Sequence, residues 1–333
     1  MTALPQRNIC LVIPVYNEER VLPELFRRLD ALFDAQSDYH FNVVLINDGS
    51  RDASADLITA RAASDERFII INLSRNFGHQ AALTAGLAHA RGDAIVTMDC
   101  DLQDPPEIIP LLLAKWNEGA DVVLATRTSR QETGLRRLGF DLFHRFFALL
   151  SDFPIEANTG TFGLLSSQAH EAFKKLPETH RFFPGLRSWI GFQRAEVTYE
   201  RQERAAGQPK QTLRRLVRYA MDGVFSFSRL PLRALTYVGV VVALSAFIIG
   251  MWFVIHRLTH AEIAPTGFTT LVTLILFLGG VQLIGIGVLG EYLGRVYEEV
   301  KRRPHYIVKS AEGNAAPFDV NSNEVKIKME TST

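Results

Sequence analysis

Two stretches of the chain stay free of charged side chains for longer than a buried helix of a soluble domain ordinarily does: Leu235–Ile255, 21 residues, and Gly267–Leu289, 23 residues. At about 1.5 Å per residue, each is long enough to cross a hydrocarbon layer of about 30 Å. Both are expected to be transmembrane helices, so whatever precedes them must fold as a domain tethered to a bilayer. The flanking charges orient the pair. Arg229 and Arg233 precede the first run, Arg295, Lys301, Arg302 and Arg303 follow the second, and the connecting segment holds only Arg257 as a fixed positive charge. By the positive-inside rule both ends of this hairpin, and the domain before it, face the cytoplasm. Gly280, Gly287 and Gly294 recur every seven residues, and Gly290 with Gly294 forms a G-x-x-x-G. Such a small face suits close helix pairing, either within the hairpin or between subunits.

The first two thirds of the chain read differently. Short apolar runs at Ile9–Val15, Phe41–Ile46, Phe68–Leu73, Ala94–Met98 and Asp121–Ala125 are rich in Val and Ile and bounded by turn residues, the mark of buried strands. Amphipathic stretches separate them, as in Glu18–Phe33, where Val21, Leu22, Leu25, Leu29 and Leu32 recur at helical spacing. Strands alternating with helices predict a Rossmann-like α/β domain with a mostly parallel, doubly covered sheet. Ligands of such sheets sit outside the carboxyl ends of the strands, which singles out Pro14–Glu18, Asn47–Asp52, Ser74–Gly78 and Asp99–Asp104. The 36 basic and 36 acidic side chains cancel, so no global field points to nucleic acid. Cys10, inside the first apolar run, and Cys100, just past the fourth, read as reduced core residues. The N-terminus has no basic segment leading into an apolar one, and the first domain is expected to stay in the cytosol.

Further along, Leu135–Leu150 is amphipathic and carries Phe140, Phe143, Phe146 and Phe147, which suits a core helix or one lying at a bilayer surface beside Arg136, Arg137 and Arg145. Gly207-Gln208-Pro209 marks a turn or loop, and Thr212–Ser228 is amphipathic and basic. The tail after Ser310 is polar and without pattern, and is expected to be disordered.

Chemistry concentrates at the strand ends. Asp99-Cys100-Asp101-Leu102-Gln103-Asp104-Pro105-Pro106 leaves the fourth run with two carboxylates two positions apart. Hard cations such as Mg²⁺ or Mn²⁺ take oxygen ligands of this kind together with substrate phosphates; the same residues also suit a turn capping the helix that begins near Pro106. Pro14-Val15-Tyr16-Asn17-Glu18 offers a stacking ring, an amide and a carboxylate for a nucleoside, with Asn17 as a helix cap in the alternative. Asp48 in Asn47-Asp48-Gly49-Ser50-Arg51-Asp52 can accept hydrogen bonds from a base, while Asp52 suits a cap.

Taken in order, Ile13–Glu18, Asn47–Ser50 and Asp99–Pro106 resemble the inverting family 2 glycosyltransferases with a GT-A fold. Arg75-Asn76-Phe77-Gly78, Arg181–Leu186, Trp189-Ile190-Gly191 and Asp222–Ser228 narrow the resemblance to the polyprenyl-phosphate branch, which includes dolichol-phosphate mannose synthases and bactoprenol glucosyltransferases. It covers about residues 8 to 305, and the two apolar runs are similar to those of the bacterial members. The resemblance implies that Pro14, Tyr16, Glu18, Asp48 and Asp99 hold the nucleotide, and that Asp99, Asp101 and Gln103 address Mg²⁺ or Mn²⁺ and the diphosphate. Asp99 and Asp101 would be the catalytic residues. Arg127 and Arg137 would bind the acceptor phosphate, a task suited to a guanidinium fork, and Lys210 would lie on a loop over the donor phosphates. The implied partners are a UDP-sugar, most often UDP-glucose, a polyprenyl phosphate such as undecaprenyl phosphate, the bacterial inner membrane and further copies of the chain in a tetramer.

The expected organisation is a cytoplasmic GT-A domain over 1–210, an amphipathic juxtamembrane helix over 211–233, two spans within 234–294, and a cytoplasmic basic segment and disordered tail over 295–333. Three positions depart from the family pattern. Asn47 stands where many relatives have Asp. Gly207-Gln208-Pro209-Lys210-Gln211 replaces Gly-x-Ser-Lys-Tyr, and Gly160-Thr161-Phe162-Gly163-Leu164 replaces Gly-Asp-Phe-Arg-Leu. The last change removes a carboxylate that would serve as a base. A phosphate monoester is largely ionised at pH 7, however, and an ionised nucleophile needs little such help. Two rivals have other outcomes: a processive polysaccharide synthase, and a catalytically inactive scaffold that only binds nucleotide-sugar.

Overall fold

The chain runs β1 (Arg7–Val15), α1 (Leu22–Ala35), β2 (Tyr39–Asn47), α2 (Ser54–Ser64), β3 (Phe68–Leu73), α3 (His79–His89) and β4 (Ala94–Thr97). A short 3-10 turn at Pro106–Ile108 then leads into α4 (Ile109–Asn117), β5 (Val122–Arg127), β6 (Thr159–Ser166), α5 (Ser167–Lys174), α6 (Phe183–Trp189) and β7 (Arg194–Tyr199). Two long helices, α7 (Leu230–Thr259) and α8 (Phe268–Lys301), precede a last strand, β8 (Val308–Glu312). This computed structural model describes residues 6–127, 159–178, 181–200, 230–259 and 267–313. The expected helix at 135–150, the basic amphipathic segment at 212–228 and the loop at 207–211 lie outside the described residues.

Eight strands form one sheet in the order β7-β5-β6-β4-β1-β2-β3-β8. β4, β1, β2 and β3 run parallel to one another, as do β5 and β7, whereas β6 is antiparallel to β4 and β5 and β8 is antiparallel to β3. The five strands expected from apolar runs are all present, with ends that coincide or differ by at most two residues. They form because each buries nearly every side chain: Ile9, Leu11, Val12 and Ile13 of β1 are fully enclosed, as are Val43, Leu45 and Ile46 of β2. A strand covered on both faces needs a continuous apolar run, which is what the sequence supplies.

The chain leaves β1 toward β2 and β3 on one side and returns to place β4 on the other. That reversal is a topological switch point, where the loops after β1 and β4 diverge and leave a crevice. α1 covers one face through Leu22, Leu25, Leu29, Leu32 and Phe33, with Pro23 in its first turn, where a missing N–H costs nothing. The helix begins at Leu22 rather than at Glu18, and Asn17 is not its cap. Asn17 instead takes a left-handed φ of 55° and accepts a hydrogen bond from the Arg51 N–H at 2.8 Å.

β8 corrects the expectation for the tail at Ala311 and Glu312; residues 314–333 lie outside the described residues. Ser310, Ala311 and Glu312 pair antiparallel with β3, and the Ser74 N–H donates to the Ile307 carbonyl at 2.9 Å. A polar segment without alternation joins a sheet edge because the bonds it makes there are those of the backbone.

The chain divides into two compact units, one holding the sheet and its helices and the other holding α7 and α8. α8 runs to Lys301, past the expected end at Leu289. Its segment Phe277–Lys301 is long and apolar enough to cross a membrane and is almost wholly exposed, unlike the core helix of a soluble protein. Large apolar side chains on α7, including Phe247, Ile248 and Trp252, are exposed in the same way. Within this unit Gly285 of α8 lies against Leu235 of α7, whereas Gly280, Gly287, Gly290 and Gly294 face open space.

Candidate active site

At the carboxyl end of β1 the chain presents Tyr16, 37% exposed, beside half-buried Glu18, with Pro14 buried beneath them. The Asn17 N–H donates to Ser50 Oγ at 3.1 Å and the Glu18 N–H to Ser54 Oγ at 2.8 Å. Asp52 accepts from the N–H groups of both Glu19 and Ser54, so it satisfies the first N–H of α2, whose N-cap position is Ala53, while holding the loop after β1. Burial raises its pKa, but the Ser54 hydroxyl together with these backbone donors outweighs it and holds the carboxyl below the usual range.

Asp48 is almost fully buried. Its two oxygens accept from the N–H groups of Phe77 at 2.7 Å and Gly78 at 3.0 Å, and the Asn76 side chain donates to its carbonyl at 3.2 Å. Burial pushes its pKa up, against the pull of those two N–H groups. Asp48 therefore anchors the Arg75–Gly78 loop, a role that spacing alone does not reveal; a carboxylate retains lone-pair capacity for further donors. Gly49, with φ of 68°, makes the turn possible: a Cβ there would lie 2.7 Å from the Arg75 carbonyl carbon and the Asn76 nitrogen.

After β4 the chain carries Asp99, Asp101 and Gln103 to the other side of the crevice. Asp99 is half-buried; its Oδ1 accepts from the Thr161 hydroxyl at 3.0 Å and lies 3.4 Å from His79 Nε2. Asp101 is 9% exposed and accepts from the Gln103 N–H at 3.1 Å. Between them Leu102 adopts a left-handed φ of 59° with its side chain buried. That conformation costs about 1–2 kcal/mol for an L residue and turns the chain sharply between the two polar groups. Among the described residues no three His, Cys, Asp or Glu side chains gather as a metal-holding group. Two carboxylates and an amide oxygen are nevertheless the hard donor set that Mg²⁺ or Mn²⁺ uses when substrate phosphates complete the shell, and in that respect the residues fit the ion.

Asp104, wholly buried, faces inward. The Arg127 guanidinium donates to both its oxygens at 3.3 and 3.2 Å, Arg127 Nε donates to the Tyr199 hydroxyl at 3.2 Å, and that hydroxyl donates to Asp104. Burial raises the Asp104 pKa while Arg127 opposes it. Burial by itself would lower Arg127, but Asp104 and Tyr199 outweigh it and keep the guanidinium charged. Arg127, expected at an acceptor phosphate, thus has an internal partner. Arg137 and Lys210 lie outside the described residues.

β6 shows why glycine suits two of its positions, Gly160, which the family pattern keeps, and Gly163, which departs from it. A Cβ on Gly160 would lie 2.9 Å from an Arg127 nitrogen, and one on Gly163 would lie 2.6 Å from the Val123 carbonyl oxygen and 2.9 Å from Arg187 Nη1. Arg187 of α6 is buried and donates to the carbonyls of Gly160 at 3.2 Å and Phe162 at 3.4 Å. Two guanidinium groups therefore lie where side chains of β6 would otherwise project. Thr161, between the glycines, presents its hydroxyl to Asp99. His79, Tyr199 and Arg187 lie outside the motifs, and Asp104 and Thr161 lie within quoted motifs without a role of their own there, since long-range packing makes these contacts.

The family model for glycosyl transferase family 2 matches residues 10–173. The SfII prophage-derived bactoprenol glucosyl transferase of Shigella flexneri is 46% identical over 309 residues, which is 92% of this chain and 99% of that protein. A prophage bactoprenol glucosyl transferase homolog of Escherichia coli K12 is 46% identical over 91% of this chain and 98% of its own length. The glycosyltransferase YkcC of Bacillus subtilis is 40% identical over 91% and 94%.

Proposed function

The chain belongs to glycosyltransferase family 2, with a GT-A-like α/β domain on a mostly parallel sheet, and from that premise we propose that it transfers a glycosyl group from a nucleotide-sugar to a polyprenyl phosphate. The observation that carries this reading is the extent of the match. Identity of 46% with a bactoprenol glucosyl transferase spans 92% of the chain, too much to leave out both long apolar helices.

In this reading the donor nucleoside lies over Pro14, Tyr16, Glu18 and Asp48, and UDP-glucose is the donor. Asp99, Asp101 and Gln103 would hold Mg²⁺ or Mn²⁺, which when bound neutralises charge on the diphosphate. The chain's own residues do the aligning. Thr161 and His79 fix Asp99, and the Gln103 N–H fixes Asp101. A guanidinium has five N–H groups, so Arg127 can hold Asp104 and Tyr199 and still offer donors to the acceptor phosphate beside Arg137. Lys210 would close over the donor phosphates. An oxygen of the ionised acceptor phosphate attacks the anomeric carbon, the bond to the nucleoside diphosphate breaks, and the sugar inverts. No proton need be removed, because the nucleophile is already ionised. The Thr161 hydroxyl at the position of the missing base carboxylate is compatible with that chemistry.

α7 and α8 would both span the bacterial inner membrane, with the sheet domain over 1–210, the juxtamembrane segment over 211–233 and the residues after the second span on the cytoplasmic side. The basic residues flanking the helices support that orientation. The open glycine face of α8 supports association with further copies of the chain, up to the tetramer the resemblance implies.

The test is transfer of radiolabelled sugar from a panel of UDP- and GDP-sugars to undecaprenyl phosphate, with Mg²⁺ or Mn²⁺ and then with EDTA. A chelator-sensitive, butanol-extractable product is expected. No product from any donor, with folded protein that binds nucleotide, would favour the scaffold.

A further inference from the structure

Asn47, at the end of β2, pairs in register with Asn72 of β3 and is buried. Its Nδ2 donates to Asn72 Oδ1 at 2.9 Å, and its Oδ1 accepts from the Ser50 N–H at 2.9 Å. Asn72 Nδ2 in turn donates to Ser310 Oγ at 3.1 Å and to Glu312 Oε1 at 3.2 Å, both on β8. At the other end Ser50 Oγ accepts from the Asn17 N–H, and Asn17 Oδ1 accepts from the Arg51 N–H. A directional chain of donors and acceptors thus runs from Glu312 to the loop that carries Tyr16 and Glu18.

Each link fixes the next. Asn47 must donate on one side and accept on the other, which an amide does and a carboxylate does not. Asn72 is oriented by the Glu312 carboxylate, which only accepts, so its NH₂ faces β8 and its oxygen faces Asn47. An aspartate at 47 would set two acceptors against each other. Turning the Asn72 amide to relieve this would put its oxygen against Glu312, and a glutamine at 312 would remove that second conflict.

We propose that Asn47, Asn72 and Glu312 are positioning residues that hold the donor-side turn of residues 47–51 from strand β8, with positions 47 and 312 coupled through the orientation of the Asn72 amide. The functional half of this proposal rests on the reading that the ends of β1 and β2 hold the donor nucleoside.

The experiment uses the full chain in detergent and four proteins: wild type, Asn47→Asp, Glu312→Gln and the double variant. UDP affinity is measured by calorimetry, kcat and donor KM by sugar transfer, and amide exchange on the peptide covering 47–54 by mass spectrometry. Misplacing one buried polar contact predicts about a tenfold loss of UDP affinity in Asn47→Asp, with raised KM, little change in kcat and faster exchange at 47–54. Glu312→Gln alone should change affinity by less than about threefold. The double variant should recover to within about threefold of wild type. The proposal is overturned if Asn47→Asp binds UDP as wild type does, or if the double variant recovers neither affinity nor exchange protection. If wild type itself binds no nucleoside diphosphate, the donor-site reading fails and the positioning role goes with it, an outcome distinct from a missing rescue.

Discussion

Arg127 closes on Asp104 from the last position of β5, its guanidinium 3.2 Å from a carboxylate that has no exposed surface. The pair joins the loop after β4 to the adjacent end of the sheet, and Tyr199 of β7 completes it. Removing one partner of a buried pair leaves the other uncompensated, which costs more than the pair contributes. Arg127→Met should therefore destabilise the protein by about 3–5 kcal/mol, whereas Tyr199→Phe, which deletes one hydroxyl, should cost about 1–3 kcal/mol. Thermal unfolding of both variants in the same detergent checks the order; equal losses would show that the ion pair adds nothing beyond the hydroxyl.

Asp101 lies in the loop that Leu102 turns, and in the proposed reading its carboxylate would hold the metal ion that addresses the diphosphate. Asp101→Asn keeps the acceptor for the Gln103 N–H and should leave the melting temperature unchanged. Turnover should fall by about 10²–10³-fold, the usual effect of removing one electrostatic element from an active site. Near-normal sugar transfer by this variant would remove Asp101 from the mechanism.

Gly49 is wedged against the Arg75–Asn76 backbone at positive φ. Gly49→Ala adds both a left-handed alanine and a contact that only backbone movement can relieve, together about 1–3 kcal/mol. Because Asp48 holds the same loop, UDP affinity should weaken along with stability. A variant as stable as wild type, with unchanged affinity, would show that the two loops are not in fixed contact.

His170 lies on the buried face of α5, with its Nε2 2.7 Å from the Leu87 carbonyl, and burial depresses its pKa below the ordinary 6.5. A histidine that protonates less readily when folded adds stability above the unfolded value and loses it as pH falls through the folded one. Lys174 nearby works in the same direction, while Glu171 opposes it. Wild type should lose melting temperature as pH drops below about 6.5, and His170→Gln should lose less over the same interval. Parallel curves for the two proteins would exclude His170 as the cause.

The parts of this molecule that were legible in the sequence are those in which local pattern and burial coincide. β1 to β4 are enclosed on both faces, so their Val and Ile runs and the polar residues that end them stand out. β7 was available to a reader of alternation, since Val197 and Tyr199 are buried and their neighbours are not. β6 was hidden because Gly160 and Gly163 weaken its strand pattern, and they are glycine on account of two arginines distant in sequence. The same limit applies to the site: Asp99 and Asp101 announce themselves by spacing, but Thr161 and His79 reach Asp99 only through tertiary packing. Residue type alone offers Asn17 as an amide for a nucleoside or as a helix cap, and Asp48 as an acceptor for a base. The structure gives Asn17 to the Arg51 N–H and Asp48 to the Phe77 and Gly78 N–H groups, assignments that depend on which loops meet.

β8 has a consequence for how the molecule is made. The edge strand that completes the sheet beside β3 is synthesised after both long apolar helices. At about 5–20 residues per second, an emerging chain spends many seconds with β3 as an unpaired edge and with Asn72 lacking its partners on β8. Over that interval the nascent sheet is open to pairing with the wrong strand. Emergence of α7 and α8 then precedes closure of the edge, so in biogenesis the sheet reaches its finished form only on a chain whose apolar helices have already left the ribosome.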